Sequence, residues 1–167
     1  MIPQFVFTAA FVVALDQAVK FLIKTHVKLY ETITVIPDIL NITYIENFGI
    51  AFGITGQGED QLKRWILCGV ILTAVVCIVI YWLRHSHKSF IYNFSLGLIT
   101  GGALGNLVDR TLRGSVTDFI EAGYLRLTIP VFNVADSAVT AGVCLFIIYL
   151  FVTKDNLVEE KNASDTV

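Results

Sequence analysis

The chain alternates between long uninterrupted runs of apolar residues and short polar stretches, a pattern unlike the scattered apolar stripe of a surface helix. A helix rises about 1.5 Å per residue, so a hydrocarbon layer of about 30 Å takes roughly 20 apolar residues to cross. Residues 65–83 and 90–108 carry no charge and meet that length. The first of these closes on Tyr81 and Trp82, an aromatic pair of the kind placed where a span meets the headgroups. Residues 137–153 form a slightly shorter block, followed by a polar tail, 154–167, expected to lack fixed structure.

The N-terminal block is broken at Asp16, and the run 5–15 before it has the length of a signal-peptide core, with Val12-Val13-Ala14 resembling a weak cleavage site. Against removal, no Lys or Arg precedes the run, and the apolar pattern resumes through Ala18, Val19, Phe21, Leu22 and Ile23. The pattern therefore predicts spans over about 5–24, 65–83, 90–108 and 137–153 in a single membrane domain.

The connection 25–64 is too long for a simple loop and too apolar for a linker. Alternation in Thr32-Ile33-Thr34-Val35 and Ile42-Thr43-Tyr44-Ile45, with Pro37-Asp38 between, predicts a β-hairpin. Residues 48–54 read as an apolar interfacial element, and 125–132 as a further strand able to join the hairpin. The expected fold is an all-α four-helix membrane bundle, with a small extramembrane β-sheet forming a cradle and a short interfacial helix on the same side.

Composition agrees: 55% of residues are hydrophobic, 16% are charged and mean hydropathy is +0.70, which excludes an ordinary soluble domain. Lys and Arg counts do not choose an orientation; a plain positive-inside count puts the termini outside, with the long first loop and the site-adjacent Arg110 and Arg113 weakening the rule. Cys68, Cys77 and Cys144 fall inside spans without metal-ligand spacing and read as small buried hydrophobes. Gly97, Gly101 and Gly105, with Gly102, form a small-residue ridge that lets helices approach closely.

A charge at membrane depth costs about 2.5 to 3.5 kcal/mol on insertion scales, so each needs a partner or a task. Asp16 and Lys20 are four residues apart, acid first, the favourable order for an ion pair on one helix face. Asn106, Asp109 and Arg110 close the third span, Asp118 follows in a short loop, and Asn133 and Asp136 precede the fourth. Asp136 has a plain alternative role as a helix N-cap, and Asp109 with Arg110 as an interfacial ion pair. Asp118, between apolar neighbours, has no such local role. Two carboxylates in a low-dielectric site do not both ionise easily, so one keeps its proton while the other acts as base, a division suited to activating water. A transporter or proton relay built on Asp16, Lys20, Asp118 and Asp136, or an adaptor whose charges only pair, are the competing classes.

Five stretches in order carry a family resemblance: Asp16-x-x-x-Lys20, Asn47-Phe48-Gly49-Ile50-Ala51-Phe52, Gly101 through Arg110, Val116-Thr117-Asp118-Phe119 and Phe132-Asn133-Val134-Ala135-Asp136-Ser137. Over nearly its whole length the chain resembles bacterial lipoprotein signal peptidase, signal peptidase II. The resemblance implies an aspartyl endopeptidase of the bacterial inner or cytoplasmic membrane that cuts before a diacylglyceryl-modified cysteine. It implies Asp118 and Asp136 as the catalytic pair, Asn47, Asn106, Arg110 and Asn133 as substrate-positioning residues, and Asp16, Lys20, Asp109, Gly49 and Phe52 as support. No metal or organic cofactor is implied. The implied partners are a diacylglyceryl-modified prolipoprotein and membrane lipid, with no nucleic acid, the enzyme a monomer, both termini cytoplasmic and the site near the outer surface. Thr117 departs from the family pattern, where an aliphatic residue is commoner, and the N-terminus lacks the basic residues of many relatives.

Overall fold

In the computed structural model, residues 2–49, 61–85, 89–124 and 127–164 are described. Four helices, α1 (Ile2–His26), α2 (Gln61–Arg84), α3 (Phe90–Arg113) and α4 (Val134–Ser164), form the bundle. Each includes a stretch long and apolar enough to cross a membrane, Gln4–His26, Gln61–Arg84, Phe90–Arg113 and Val134–Thr153. Asp16 does not break α1, because its charge is satisfied within the bundle. Two boundaries differ most from the apolar blocks. α3 continues to Arg113, so Asp109 and Arg110 lie inside its last turns, and α4 continues as helix through the polar segment to Ser164.

α3 is the central helix, packed against the other three. Its glycines explain how closely. A Cβ on Gly102 would collide with the Ala135 carbonyl oxygen, and one on Gly105 would lie 2.8 Å from Asp16 Oδ2. The ridge therefore brings the start of α4 and the middle of α1 onto α3 at backbone distance. At the far end Phe5, Trp82, Tyr92 and Leu96 make an apolar cluster, with Trp82 Nε1 donating to Asn93 Oδ1 at 2.8 Å. Trp82 is thus a core residue and not the headgroup anchor its position suggested. Cys68 is buried, but Cys77 and Cys144 face outward, so only one of the three fits the buried reading.

Outside the bundle, β1 (Thr32–Ile36), β2 (Leu40–Asn47), β3 (Val116–Tyr124) and β4 (Leu127–Thr128) form one antiparallel sheet in the order β1-β2-β3-β4. The hairpin turns at residues 37–39, where Asp38 adopts a left-handed φ of 63°, a conformation that a short polar side chain tolerates. The hairpin is joined by β3, which precedes the expected 125–132 strand, and within that stretch β4 pairs with β3 and not with the hairpin. β3 follows α3 directly after Gly114, which ends the helix at φ 87°, as a left-handed C-cap does. Asp118 consequently sits on a strand in the middle of the sheet, not in a loop. The alternation of Val116, Asp118 and Ile120 with Thr117 and Phe119 hides that strand from pattern reading, because both of its faces are buried near the bundle. Of the expected interfacial element, 48–54, residues 50–54, with Phe52, lie outside the described residues.

Candidate active site

Chain direction places the C-terminal ends of α1 and α3, the N-terminal ends of α2 and α4 and the whole sheet at one end of the bundle. The polar residues singled out in the sequence meet there. Asp118, 2% exposed, has both oxygens engaged: Asn47 Nδ2 donates to Oδ2 at 2.9 Å and Asn133 Nδ2 donates to Oδ1 at 2.6 Å. Asn133 is the N-cap of α4. Its Oδ1 accepts from Asp136 N at 2.9 Å, and Asp136 Oδ2 accepts from Asn133 N at 3.2 Å, a reciprocal capping box. Asp136 is therefore not the N-cap; it occupies the third helical position, where its carboxylate also meets the positive end of the helix dipole.

Asn106, from α3, connects the second acid to the buried charges. Its Oδ1 accepts from Lys20 Nζ and from Asn133 Nδ2, each at 3.2 Å, so its amide must turn Nδ2 the other way, where it donates to Asp136 Oδ1 at 2.7 Å. Asp118, Asn133, Asn106 and Asp136 thus form one hydrogen-bonded string, with Asn47 at one end and Lys20 behind it.

Beneath the string, Lys20 is fully buried and pairs with Asp16 at 2.7 Å and Asp109 at 2.8 Å. Asp16 Oδ1 also accepts from Ala135 N at 2.9 Å, adding a second side chain to the cap of α4. Asp109 is further paired with Arg113. The simple reading of Asp16 and Lys20 as a closed pair is too small: they tie α1 to α3 and to the start of α4. An unmatched charge in this position would be severely destabilising, on the order of 3–5 kcal/mol for breaking a buried pair.

Arg110 reaches Gly49 O through Nη2 at 3.1 Å, while Gly49 N donates to Asn47 Oδ1 at 3.0 Å. Arg110 therefore fixes the chain next to Asn47 and does not pair with Asp109. Asp118 lies outside the membrane-spanning segments, and its carboxyl is pushed up to about 6. Burial is the main cause and the nearby Asp136 adds to it, against the opposing hydrogen bonds from Asn47 and Asn133 and the charge of Lys20.

Several residues that the sequence did not single out take part. Gln17 Nε2 lies within 3.3 Å of Asp16 Oδ2 and Gly105 O and 3.2 Å of Asp109 Oδ1, and its Oε1 accepts from Arg113 at 3.3 Å. Glu46 accepts from Tyr44 OH at 3.1 Å and Ser115 Oγ at 3.2 Å and lies 3.6 Å from Lys24 Nζ, which ties the sheet to α1 beside Asn47. The Tyr44 hydroxyl is pushed up to about 12, first by burial and then by its bond to Glu46. Arg64 of α2 donates Nε to Arg110 O at 2.6 Å, capping the end of α3. The signal for Gln17 and Glu46 was adjacency to Asp16 and Asn47; a neutral amide and a surface acid otherwise stand out little.

A four-helix membrane bundle carrying three buried aspartates, Asp16, Asp109 and Asp118, and the half-buried Asp136 at one end, beside a small sheet, defines a class of membrane enzyme, and comparison with known proteins agrees. The model of the signal peptidase (SPase) II family matches residues 8–152. A lipoprotein signal peptidase of Geobacillus kaustophilus is 42% identical over 143 residues, 86% of this chain and 90% of that protein. One from Brevibacillus brevis is 37% identical over 143 residues, 86% of this chain and 91% of that protein. A solved bacterial membrane enzyme, determined in meso at 2.3 Å resolution, superposes with a TM-score of 0.82 at 34% identity, covering 93% of this chain and 92% of its own. The chain belongs to the signal peptidase II family, and it is a multi-pass membrane protease that processes signal peptides.

Proposed function

We propose that the chain is an aspartyl endopeptidase that removes the signal peptide from diacylglyceryl-modified prolipoproteins, cutting before the lipidated cysteine. The observation that carries this reading is the hydrogen-bonded string that holds Asp118 and Asp136 at opposite ends of the Asn133 and Asn106 side chains. Asp118, with its raised value, holds the proton at the start of the cycle. Asp136 takes a proton from water, the resulting hydroxide attacks the scissile carbonyl carbon, and the Asp118 proton passes to the carbonyl oxygen to give a gem-diol. As the C–N bond breaks, the proton on Asp136 goes to the cysteine's leaving nitrogen and one diol hydroxyl returns its proton to Asp118. Asn47, Asn106, Arg110 and Asn133 hold the acids and the strand beside them, while Asp16, Lys20 and Asp109 keep the start of α4 in place.

The substrate's lipid anchor supplies much of the positioning: held in the same bilayer, its scissile bond meets the pair at high effective concentration. This fits a bacterial inner membrane, with both termini cytoplasmic and the site at the outer surface, and a monomer working on one substrate chain. A relay across the membrane is disfavoured by the arrangement of the acids, since Asp16, Asp109 and Asp136 all meet at the start of α4 and do not string along the membrane depth. The test is mass spectrometry of purified protein incubated with lipidated and unlipidated forms of one prolipoprotein. The expected product begins at the lipidated cysteine and arises from the lipidated form alone; equal cutting of both forms, or cutting elsewhere, overturns the assignment.

A further inference from the structure

The register of the sheet separates its side chains into two chemically different faces. Partners directly opposite in an antiparallel pair project to the same side, and residues two apart along a regular strand share a side. Ile33 pairs with Ile42, and Ile42 with Ile120; Ile36 pairs with Leu40, and Leu40 with Ala122. These six form one aliphatic face across three strands. The other face has Thr32 opposite Thr43, and Thr34 opposite Asn41, itself opposite Glu121, with Glu121 Oε2 accepting from Thr43 at 2.6 Å.

The aliphatic face is the one that carries Asp118. β3 has no irregularity of its own between 118 and 122, since the register shift there is taken up on β2, so Asp118, Ile120 and Ala122 point the same way. Asn47, bonded to Asp118, lies on it too, opposite Val116. Going outward from Asp118, the face changes from buried to half-buried at Ile120 and Ile42, and then to exposed at Ile33 (44%) and Ile36 (45%). Val35, in the irregular step of β1 between them, is 53% exposed. An uncovered aliphatic surface on a sheet edge is costly in water and invites aggregation.

We propose that this face rests on the bilayer, with Ile33, Val35 and Ile36 seated among the outer acyl chains. Two observations choose lipid as the occupant. β1, Thr32–Ile36, contains no charge, so nothing on it opposes entry into an apolar layer. The surface also continues the lipid-facing side of the bundle: Phe21 and Leu22 near the end of α1 are exposed at 62% and 53%, and Leu29 and Tyr30 carry exposed apolar surface from there to β1. The threonines, asparagine and glutamate of the opposite face then look to water. Seated this way, the sheet turns the Asp118 carboxylate toward the membrane plane and fixes its height there. That consequence rests on the proposed cleavage site, but the seating itself does not.

The test is collision depth by spin labels in bilayer nanodiscs of phosphatidylcholine and phosphatidylglycerol, with Cys68, Cys77 and Cys144 replaced by alanine and single cysteines placed at Ile33, Ile36 or Thr34. Labels at 33 and 36 should collide with oxygen in preference to a water-soluble nickel chelate, and the label at 34, one residue away on the same strand, should show the reverse. The melting temperature of each labelled variant reports that it is folded, and no turnover is needed, so failure of the cleavage reading leaves the result intact. Nickel access at 33 and 36 equal to that at 34 overturns the proposal. Labels that become shielded only after a lipidated prolipoprotein is added also overturn it, and make the face a substrate surface.

Discussion

Asn133 and Asp136 hold each other at the start of α4, each side chain bonded to the other's backbone N–H, at 2.9 Å and 3.2 Å. One residue of this pair caps a helix and the other is proposed for chemistry, so the same geometry serves stability and catalysis. Asn133 adds a third role by donating to Asp118 at 2.6 Å.

Those roles separate on substitution. Asn133→Ala loses both cap and amide and should lower stability by about 1 kcal/mol, as N-cap deletions do, with loss of cleavage. Asn133→Asp keeps an acceptor for Asp136 N but loses the donor to Asp118 and adds a third acid beside the pair. It should melt above Asn133→Ala while cleaving as poorly. Thermal unfolding in detergent alongside a cleavage assay checks this, and full activity of Asn133→Asp would count against the role given to its amide.

The raised value of Asp118 sets a pH limb. Below about 6 the carboxyl keeps its proton, as the proposed cycle requires, and above it the proton leaves. The profile of kcat/KM, which reports the free enzyme, should therefore fall as pH rises through about 6. Asn47 Nδ2 stabilises the ionised form, so Asn47→Ala should move this limb to higher pH while lowering the rate. A rate that climbs through the same range would make Asp118 the base and reverse the assignment of the two acids.

Gly102 lies against the Ala135 backbone, where an added Cβ would collide with the carbonyl oxygen. Gly102→Ala must push the start of α4 away from α3, and with it Asp136 from Asn106. Overpacking of this kind costs typically about 1–3 kcal/mol, and cleavage should drop further than stability. Gly69→Ala, where nothing lies within 4 Å of the added carbon, is the matched control and should behave as the parent in both assays.

The spans were legible because membrane depth demands long apolar runs, and the hairpin because its alternation and turn residues agree. The ends of the helices were less so. α3 extends past its apolar block because Lys20 and Arg113 neutralise Asp109, and α4 begins ahead of its block, at Val134, because Asn133, Asp136 and Asp16 satisfy its first N–H groups. Lys20 and Asp16 are distant in sequence from the helix ends they serve and leave no local trace there. The strand carrying Asp118 was hidden for a related reason, since a strand buried on both faces shows no alternation. The residues of the candidate site were named through a family resemblance; their bonding could not be. That Asn106 is oriented by Lys20, that Arg110 serves Gly49, and that Gln17 and Glu46 belong to the supporting network required the three-dimensional arrangement.

The central claim is that Asp118 and Asp136 together perform the cleavage. Its most direct measurement is the single-turnover rate of cutting a diacylglyceryl-modified prolipoprotein by the purified parent, Asp118→Asn and Asp136→Asn, each confirmed as folded by its melting temperature. Both variants should bind substrate and lose cleavage by at least about 100-fold, the scale of a lost general acid or base. Cleavage at the parent's rate by either folded variant would contradict the account.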